Sequence, residues 1–124
     1  MKKLRQSALA AMAFVALAAP PVAFAHAFPV RSQPRVGATG ATAPETVRIW
    51  FNGDLEPLFD RLVVKDPAGK VVSRGNARVD AKDPTLLEVA LDPLPPGSYH
   101  VYWHVTARDG HSTEGDYTFT VSGH

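Results

Sequence analysis

The sequence of 124 residues contains no cysteine and only two methionines, Met1 and Met12. Without cysteine the chain can form no disulfide, so a small domain made from it must be held together by its hydrophobic core. From residue 13 onward the chain has neither a thiolate nor a thioether to offer a soft metal ion. Any metal site in that part must therefore use nitrogen and oxygen ligands.

Residues 1–25 have the organisation of a cleavable secretory signal peptide. They begin with basic residues, continue with an apolar run over residues 8–19, and end in the small-residue pattern Ala-Phe-Ala at Ala25. The apolar run breaks before the about 20 residues needed to span a bilayer. We therefore expect cleavage after Ala25 rather than a membrane anchor. The mature chain, residues 26–124, then has the size of one small domain that does not span the membrane.

The charge balance of the mature chain argues against one class of partner. Ten Lys and Arg residues remain against twelve Asp and Glu residues, which gives a formal charge of −2. Nucleic-acid-binding domains carry basic surfaces, so we do not expect nucleic acid as a partner. We also find no Ser/His/Asp arrangement, phosphate-binding loop or paired carboxylates suited to catalysis, and we do not predict an enzyme.

Alternation of apolar and polar residues predicts short strands and no helix of eight or more residues in the mature chain. The predicted strands are 45–51, 61–65 with 70–73 as its hairpin partner, 87–91, 98–106 and 117–121, and residues 26–44 are predicted to be an extended arm and loop. Short strands separated by Pro- and Gly-rich turns indicate an all-β domain, either a two-sheet sandwich or a barrel. We expect Phe51, Trp103 and Phe119 to anchor its core.

Cleavage after Ala25 would make His26 the first residue of the mature protein. The α-amine and the imidazole Nδ1 of an N-terminal histidine can chelate one metal ion in a six-membered ring. Cu(II) is the metal that favours such a site, since it prefers nitrogen and oxygen donors in a tetragonal plane and leads the divalent affinity order. A solvated N-terminal residue without a metal is the alternative interpretation.

A second element with metal-binding chemistry follows the strongest predicted strand. Asp109 and His111 flank a glycine, so this loop can direct a carboxylate and an imidazole to one ion, although the pattern taken alone favours an ordinary polar turn. With His26 they form a plausible copper site, in which Asp109 either binds the ion or orients another ligand. In contrast, His100 and His104 would lie about 13 Å apart along one strand, too far to share an ion.

Residues 97–119, GSYHVYWHVTARDGHSTEGDYTF, resemble the C-terminal half of the CopC family of periplasmic copper-resistance proteins. The recurrent family pattern is G-x-Y-x-V-x-W-x-V-x-S-x-D-G-H-x-x-x-G-x-x-x-F, and this sequence departs from it at Ala107, where Ser is usual. The position of His26 after a small-residue cleavage site also matches the family, as do residues 48–52. The resemblance covers essentially the whole mature chain.

The resemblance implies a periplasmic, seven-stranded Greek-key β-sandwich of cupredoxin-like or immunoglobulin-like type. It implies one Cu(II) ion per mature chain, bound by His26, Asp109 and His111, and an inner-membrane copper-transport protein as partner. The place of an additional acidic ligand found in some members falls on Gly53, with Asp54 next to it. Other members carry a methionine-rich loop for Cu(I). The lack of methionine predicts that this second site is missing and that the cargo is Cu(II) alone.

Two other classes of function stay open from the sequence. A copper-dependent oxidative enzyme could use the same N-terminal histidine, although a mature chain of 99 residues leaves little room for an extended substrate platform. Such an enzyme would show ascorbate-driven turnover that requires His26. A non-metal interaction module on an immunoglobulin-like scaffold would bind no copper tightly after correct processing.

Overall fold

The computed structural model describes residues 26–123, and the predicted signal peptide and His124 lie outside the described residues. The strands are β1 (Pro29–Gln33), β2 (Thr39–Gly40), β3 (Thr46–Phe51), β4 (Arg61–Lys65), β5 (Ser73–Val79), β6 (Leu86–Leu91), β7 (Gly97–Thr106) and β8 (Ser112–Val121). The all-β prediction is confirmed. Across residues 26–123 there is no helix with the length and apolar character to cross a membrane.

The strands form two sheets of four, which confirms the sandwich. The first sheet has the order β1-β3-β6-β5 and the second has the order β2-β8-β7-β4. Neighbouring strands are antiparallel, except that β2 runs parallel to the end of β8. The longest pairing is the β7–β8 hairpin, which joins ten residue pairs from Gly97↔Val121 to Thr106↔Ser112. This hairpin carries the Asp-Gly-His loop at one end of the sandwich.

The core lies between the two sheets and is filled by alternate residues of the strands, as the period of two requires. Its fully buried members include Val47, Ile49, Leu55, Leu62, Val64, Leu87, Tyr99, Val101, Val105 and Phe119. Phe51 and Phe119 are buried as predicted. Trp103 is half-buried, and its ring meets that of Phe51 edge-on with 5.3 Å between centroids.

Residues 26–123 form eight strands, whereas the resemblance implied seven. Two of the eight form within residues 26–44, which were predicted to be arm and loop. The β1 sequence PVRSQ shows no alternation, because four of its five residues are exposed. It pairs with β3 through its backbone instead. The β2 strand has only two residues, both exposed. Edge strands with little buried surface leave no hydrophobic period in the sequence.

The predicted hairpin between residues 61–65 and 70–73 forms only next to its turn. The bridge Lys65↔Val71 is antiparallel, and the N–H groups of Asp66 and Val72 donate to the carbonyls of Lys70 and Val64 at 2.9 and 2.8 Å. The chain then crosses to the first sheet, where Ser73 begins β5 opposite Leu91. Most of β5 is polar and exposed, and its register shifts between Arg74 and Arg78. Because apolar residues do not alternate with polar ones in β5, the sequence pattern did not predict this strand.

Candidate metal centre

The chain that follows His26 is fixed to one end of the sandwich by three hydrogen bonds. Thr113 Oγ1 donates to the carbonyl oxygen of Ala27 at 2.7 Å. The Phe28 N–H donates to Asn52 Oδ1 at 2.8 Å, and the Asn52 N–H donates to the Phe28 carbonyl at 2.9 Å. The side chain of Ala27 is buried, with 1% of the residue exposed. These contacts hold His26 over the loop that joins β7 to β8.

That loop, residues 107–111, closes as a tight turn. The Ala107 N–H donates to the His111 carbonyl and the Gly110 N–H donates to the Ala107 carbonyl, both at 2.8 Å. Gly110 has a φ of 92°, a left-handed conformation that glycine adopts without the steric cost of a Cβ. The turn therefore sets Asp109 and His111 at the tip of the hairpin.

A second segment supports the same turn from the side. The chain between β3 and β4 forms a bridge between Leu55 and Ala107, and the Arg108 N–H donates to the Asp54 carbonyl at 3.1 Å. Asp54 therefore lies beside the loop. Its backbone carbonyl contacts Arg108, and the residue is exposed to solvent. Three separate parts of the chain converge at this end of the sandwich: the N-terminal arm, this segment and the β7–β8 loop.

The structure brings the three predicted site residues next to each other. The imidazole rings of His26 and His111 lie 5.0 Å apart between centroids, at an angle of 59°. Asp109 Oδ2 lies 3.1 Å from His111 Nδ1, and Asp109 Oδ1 accepts a hydrogen bond from the His111 N–H at 3.0 Å. With metal–nitrogen bonds of about 2 Å, two imidazoles on one ion stand about 4–6 Å apart between centroids. The ring separation therefore fits a shared ion.

The charge of this group favours a cation. The His111 backbone N–H, and then the His111 side chain, lower the pKa of Asp109 by hydrogen bonding to its carboxylate, and His26 adds a smaller electrostatic effect in the same direction. Asp109 therefore stays ionised into the acid range and places a negative charge beside two imidazoles. A carboxylate with two neutral imidazoles is a donor set suited to a borderline divalent ion.

The side chains alone do not complete a coordination sphere. Over the described residues 26–123, no three side chains of the His, Asp and Glu type are arranged as a finished metal site. Both carboxylate oxygens of Asp109 contact His111. Cleavage after Ala25 would add one further donor to this group, the α-amine of His26.

The other two described histidines lie away from this group, on the outer face of the second sheet, as expected. His100 Nε2 lies 2.5 Å from Asp116 Oδ2, and the His100 ring stacks on Tyr102 with 4.3 Å between centroids. His104 pairs across the strands with Arg61 and belongs to the same outward set. About six residues of strand, or roughly 20 Å, separate His100 from the end of β7 that leads into the loop.

Two residues that hold the N-terminal arm by hydrogen bonds were not assigned a role from the sequence. Asn52 entered only as the last residue of the stretch 48–52 that matches the family pattern, and Thr113 was not distinguished from other hydroxyl residues. The contact between Ala27 and Thr113 joins positions 86 apart in the sequence. No local spacing signals such a contact, because it depends on how the arm meets β8.

Comparisons with known proteins point to one family. Residues 29–122 match the family model of the CopC domain. Protein YobA of Escherichia coli K12 is 34% identical over 102 residues, which cover 82% of each chain. The copper resistance protein C of Escherichia coli is 33% identical over 107 residues, which cover 80% of this chain and 83% of that protein.

A solved structure gives the same result for the fold. The crystal structure of CopC from Methylosinus trichosporium OB3b superimposes with a TM-score of 0.74 at 35% identity, over 80% of this chain and 96% of that one. The family match, the relatives and the two-sheet architecture agree with the resemblance seen in residues 97–119. The chain belongs to the CopC family.

Proposed function

We propose that this protein is an exported Cu(II)-binding protein of copper resistance or homeostasis, which sequesters or delivers copper through a site that His26 completes after cleavage at Ala25. One observation carries the proposal: the rings of His26 and His111 approach to 5.0 Å at the end of the sandwich. The relative named copper resistance protein C supports the choice of copper. In this proposal the protein is periplasmic and binds one ion.

Each residue has a distinct part in the proposed site. His26 supplies its α-amine and one ring nitrogen, and His111 supplies a second imidazole. Asp109 contacts Nδ1 of His111, so that Nε2 is the nitrogen of that ring that would bind copper. This is the arrangement in which a carboxylate orients a metal-binding histidine and makes it more basic. A direct bond from Asp109 to copper would use the second lone pair of an oxygen that already accepts a hydrogen bond from His111.

The donor set also decides the oxidation state in the proposal. Amine, imidazole and carboxylate donors favour Cu(II), whereas Cu(I) prefers the sulfur donors that residues 26–124 lack. The protein would therefore receive and release Cu(II). An inner-membrane copper-transport protein is the partner that the family resemblance suggests for delivery, and it stays a prediction.

A competition titration tests the proposal. The chain that begins at His26 is titrated with Cu(II) against a chromophoric chelator, beside H111A and H100A. We expect one bound Cu(II) in the parent, at least about tenfold weaker binding in H111A, which corresponds to 1.4 kcal/mol, and parental binding in H100A. Equal affinities of H111A and the parent would contradict the proposal.

A further inference from the structure

We propose that Thr113 and Asn52 are positioning residues for the copper site, which fix the separation between the His26 chelate and His111. This inference rests on the proposed function, because it assigns a task to residues that would not touch the ion. It comes from the hydrogen bonds of the N-terminal arm, which neither the family match nor the sequence pattern identifies.

The two side chains hold opposite ends of a single peptide group. Thr113 Oγ1 binds the carbonyl oxygen of Ala27, and Asn52 Oδ1 binds the N–H of Phe28, which belongs to the same peptide unit. Because a peptide group is planar, fixing both of its polar ends fixes its orientation. Ala27 connects this plane to His26, and its own position is restrained because its methyl group is buried. Few torsion angles therefore remain between the fixed plane and the His26 amine.

Thr113 also joins the two halves of the proposed site. It lies on β8 two residues after His111, and its hydroxyl reaches back to the residue that follows His26. The strand that leaves the His111 loop thus holds the arm that carries the other histidine. A change in this one hydrogen bond should alter the distance between the two sets of nitrogen ligands.

An arm held in this way would bind copper with a smaller loss of conformational entropy. Ordering a free chain end costs entropy for every residue that becomes fixed, and a site that is ordered in advance avoids that loss when the ion binds. The hydrogen bond from the Phe28 N–H to Asn52 has a second consequence. It commits this backbone nitrogen as a donor, so that Cu(II) is not coordinated by it as it often is in short flexible peptides.

The test uses substitutions in the mature protein that begins at His26. T113V removes the hydroxyl at nearly constant volume, T113S retains it, and T118V makes the same change on the same strand, at an exposed residue away from the arm. We expect Cu(II) to leave T113V for a strong chelator about tenfold faster than it leaves the parent. The electron paramagnetic resonance spectrum of T113V should show more than one Cu(II) environment. T113S and T118V should match the parent in both measurements.

A second pair of variants keeps the inference testable if T113V is unstable. N52D retains an oxygen acceptor for the Phe28 N–H, and N52L removes it at an exposed position. We expect faster copper release, and faster hydrogen exchange of the Phe28 amide, in N52L but not in N52D. Thermal unfolding of each apoprotein identifies variants that have lost the fold.

The outcomes separate this inference from the proposed function. If folded T113V and N52L release copper at the parental rate and give the parental spectrum, Thr113 and Asn52 do not position the site. The proposed function itself fails in a different experiment, when the parent loses no affinity after one residue is added before His26. Slower copper release from T113V would also contradict the positioning role.

Discussion

The imidazole rings of His26 and His111 lie 5.0 Å apart, although His26 stands at the beginning of the domain and His111 in its last hairpin. The two residues come from different sheets: His26 precedes β1, which lies beside β3 in the first sheet, and His111 lies in the loop between β7 and β8 of the second sheet. The Thr113 hydrogen bond to Ala27 connects the two.

The first prediction concerns the contact between Asp109 and His111. D109A removes both hydrogen bonds that the carboxylate makes to His111, so the ring loses its fixed orientation and the cation loses a neighbouring charge. We expect Cu(II) affinity to fall about 10- to 100-fold, measured by chelator competition. D116A is the matched control, because it removes the carboxylate beside His100 on the outer face instead. Comparable losses in both variants would contradict the assignment.

The second prediction concerns pH. Protons compete with Cu(II) for the amine and imidazole nitrogens, whereas Asp109, whose pKa is lowered by His111, stays ionised as the pH falls. We expect the apparent Cu(II) affinity to fall steeply below about pH 6. Competition titrations between pH 5 and 8 measure this change. A constant affinity over that range would exclude the proposed nitrogen ligands.

The third prediction concerns Gly115, which faces the half-buried Trp103. A Cβ at Gly115 would lie 2.5 Å from Cζ2 of the indole, so G115A forces the ring to move. We expect a loss of about 1–3 kcal/mol in the free energy of unfolding, measured by urea denaturation. G40A is the control, because the nearest atom to its added methyl group lies 3.9 Å away. Equal stability of G115A and the parent would show that the indole adjusts without cost.

The fourth prediction uses two carboxylates whose pKa values shift in opposite directions. Burial raises the pKa of Asp60, and the hydrogen bond from the Thr106 N–H opposes this only in part. Hydrogen bonds from Thr85 lower the pKa of Asp83. The folded state thus binds a proton at Asp60 more readily than the unfolded state does, so this group reduces stability as the pH rises through the Asp60 pKa. For Asp83 the sign is reversed, and stability increases as the pH rises through the acid range.

Each substitution should therefore change the pH dependence of the melting temperature in its own direction. As the pH rises from about 3 to 7, D60N should gain stability relative to the parent and D83N should lose it. Melting curves of the copper-free protein at several pH values measure both. Parallel curves for the parent and D60N would show that Asp60 titrates alike in the folded and unfolded states.

The predictable parts of the fold are those with one buried and one exposed face. Val47, Ile49 and Phe51 alternate with half-buried residues in β3, and this pattern was sufficient to place the strand and its inward face. β1 and β5 could not be found in this way, because backbone pairing rather than side-chain burial places them in the sheet. The start of β8 was missed for the same reason, since its first five residues are exposed or half-buried.

In the site, too, single residues could be predicted from short stretches of sequence, whereas contacts between distant parts of the chain could not. The placement of Asp109 and His111 around a glycine suggested these two residues, and the likeness of residues 97–119 to a known family supported them. The predicted cleavage site suggested His26. The contact of His26 with His111 could not be derived from their spacing in the sequence. It depends on how the arm before β1 packs against the β7–β8 hairpin. The sequence assigned no role to Asn52 or Thr113, since a single hydroxyl or amide group acquires its partner only when the chain has folded.

The identity of the N-terminal residue tests the central claim most directly. Two proteins are compared, one beginning at His26 and one carrying a single additional alanine before it. The alanine converts the His26 amine into a peptide nitrogen and leaves every side chain in place. Electron paramagnetic resonance and chelator competition should show one Cu(II) site in the first protein and at least about 100-fold weaker binding, with a different spectrum, in the second. Equal affinities and identical spectra would contradict the N-terminal copper chelate.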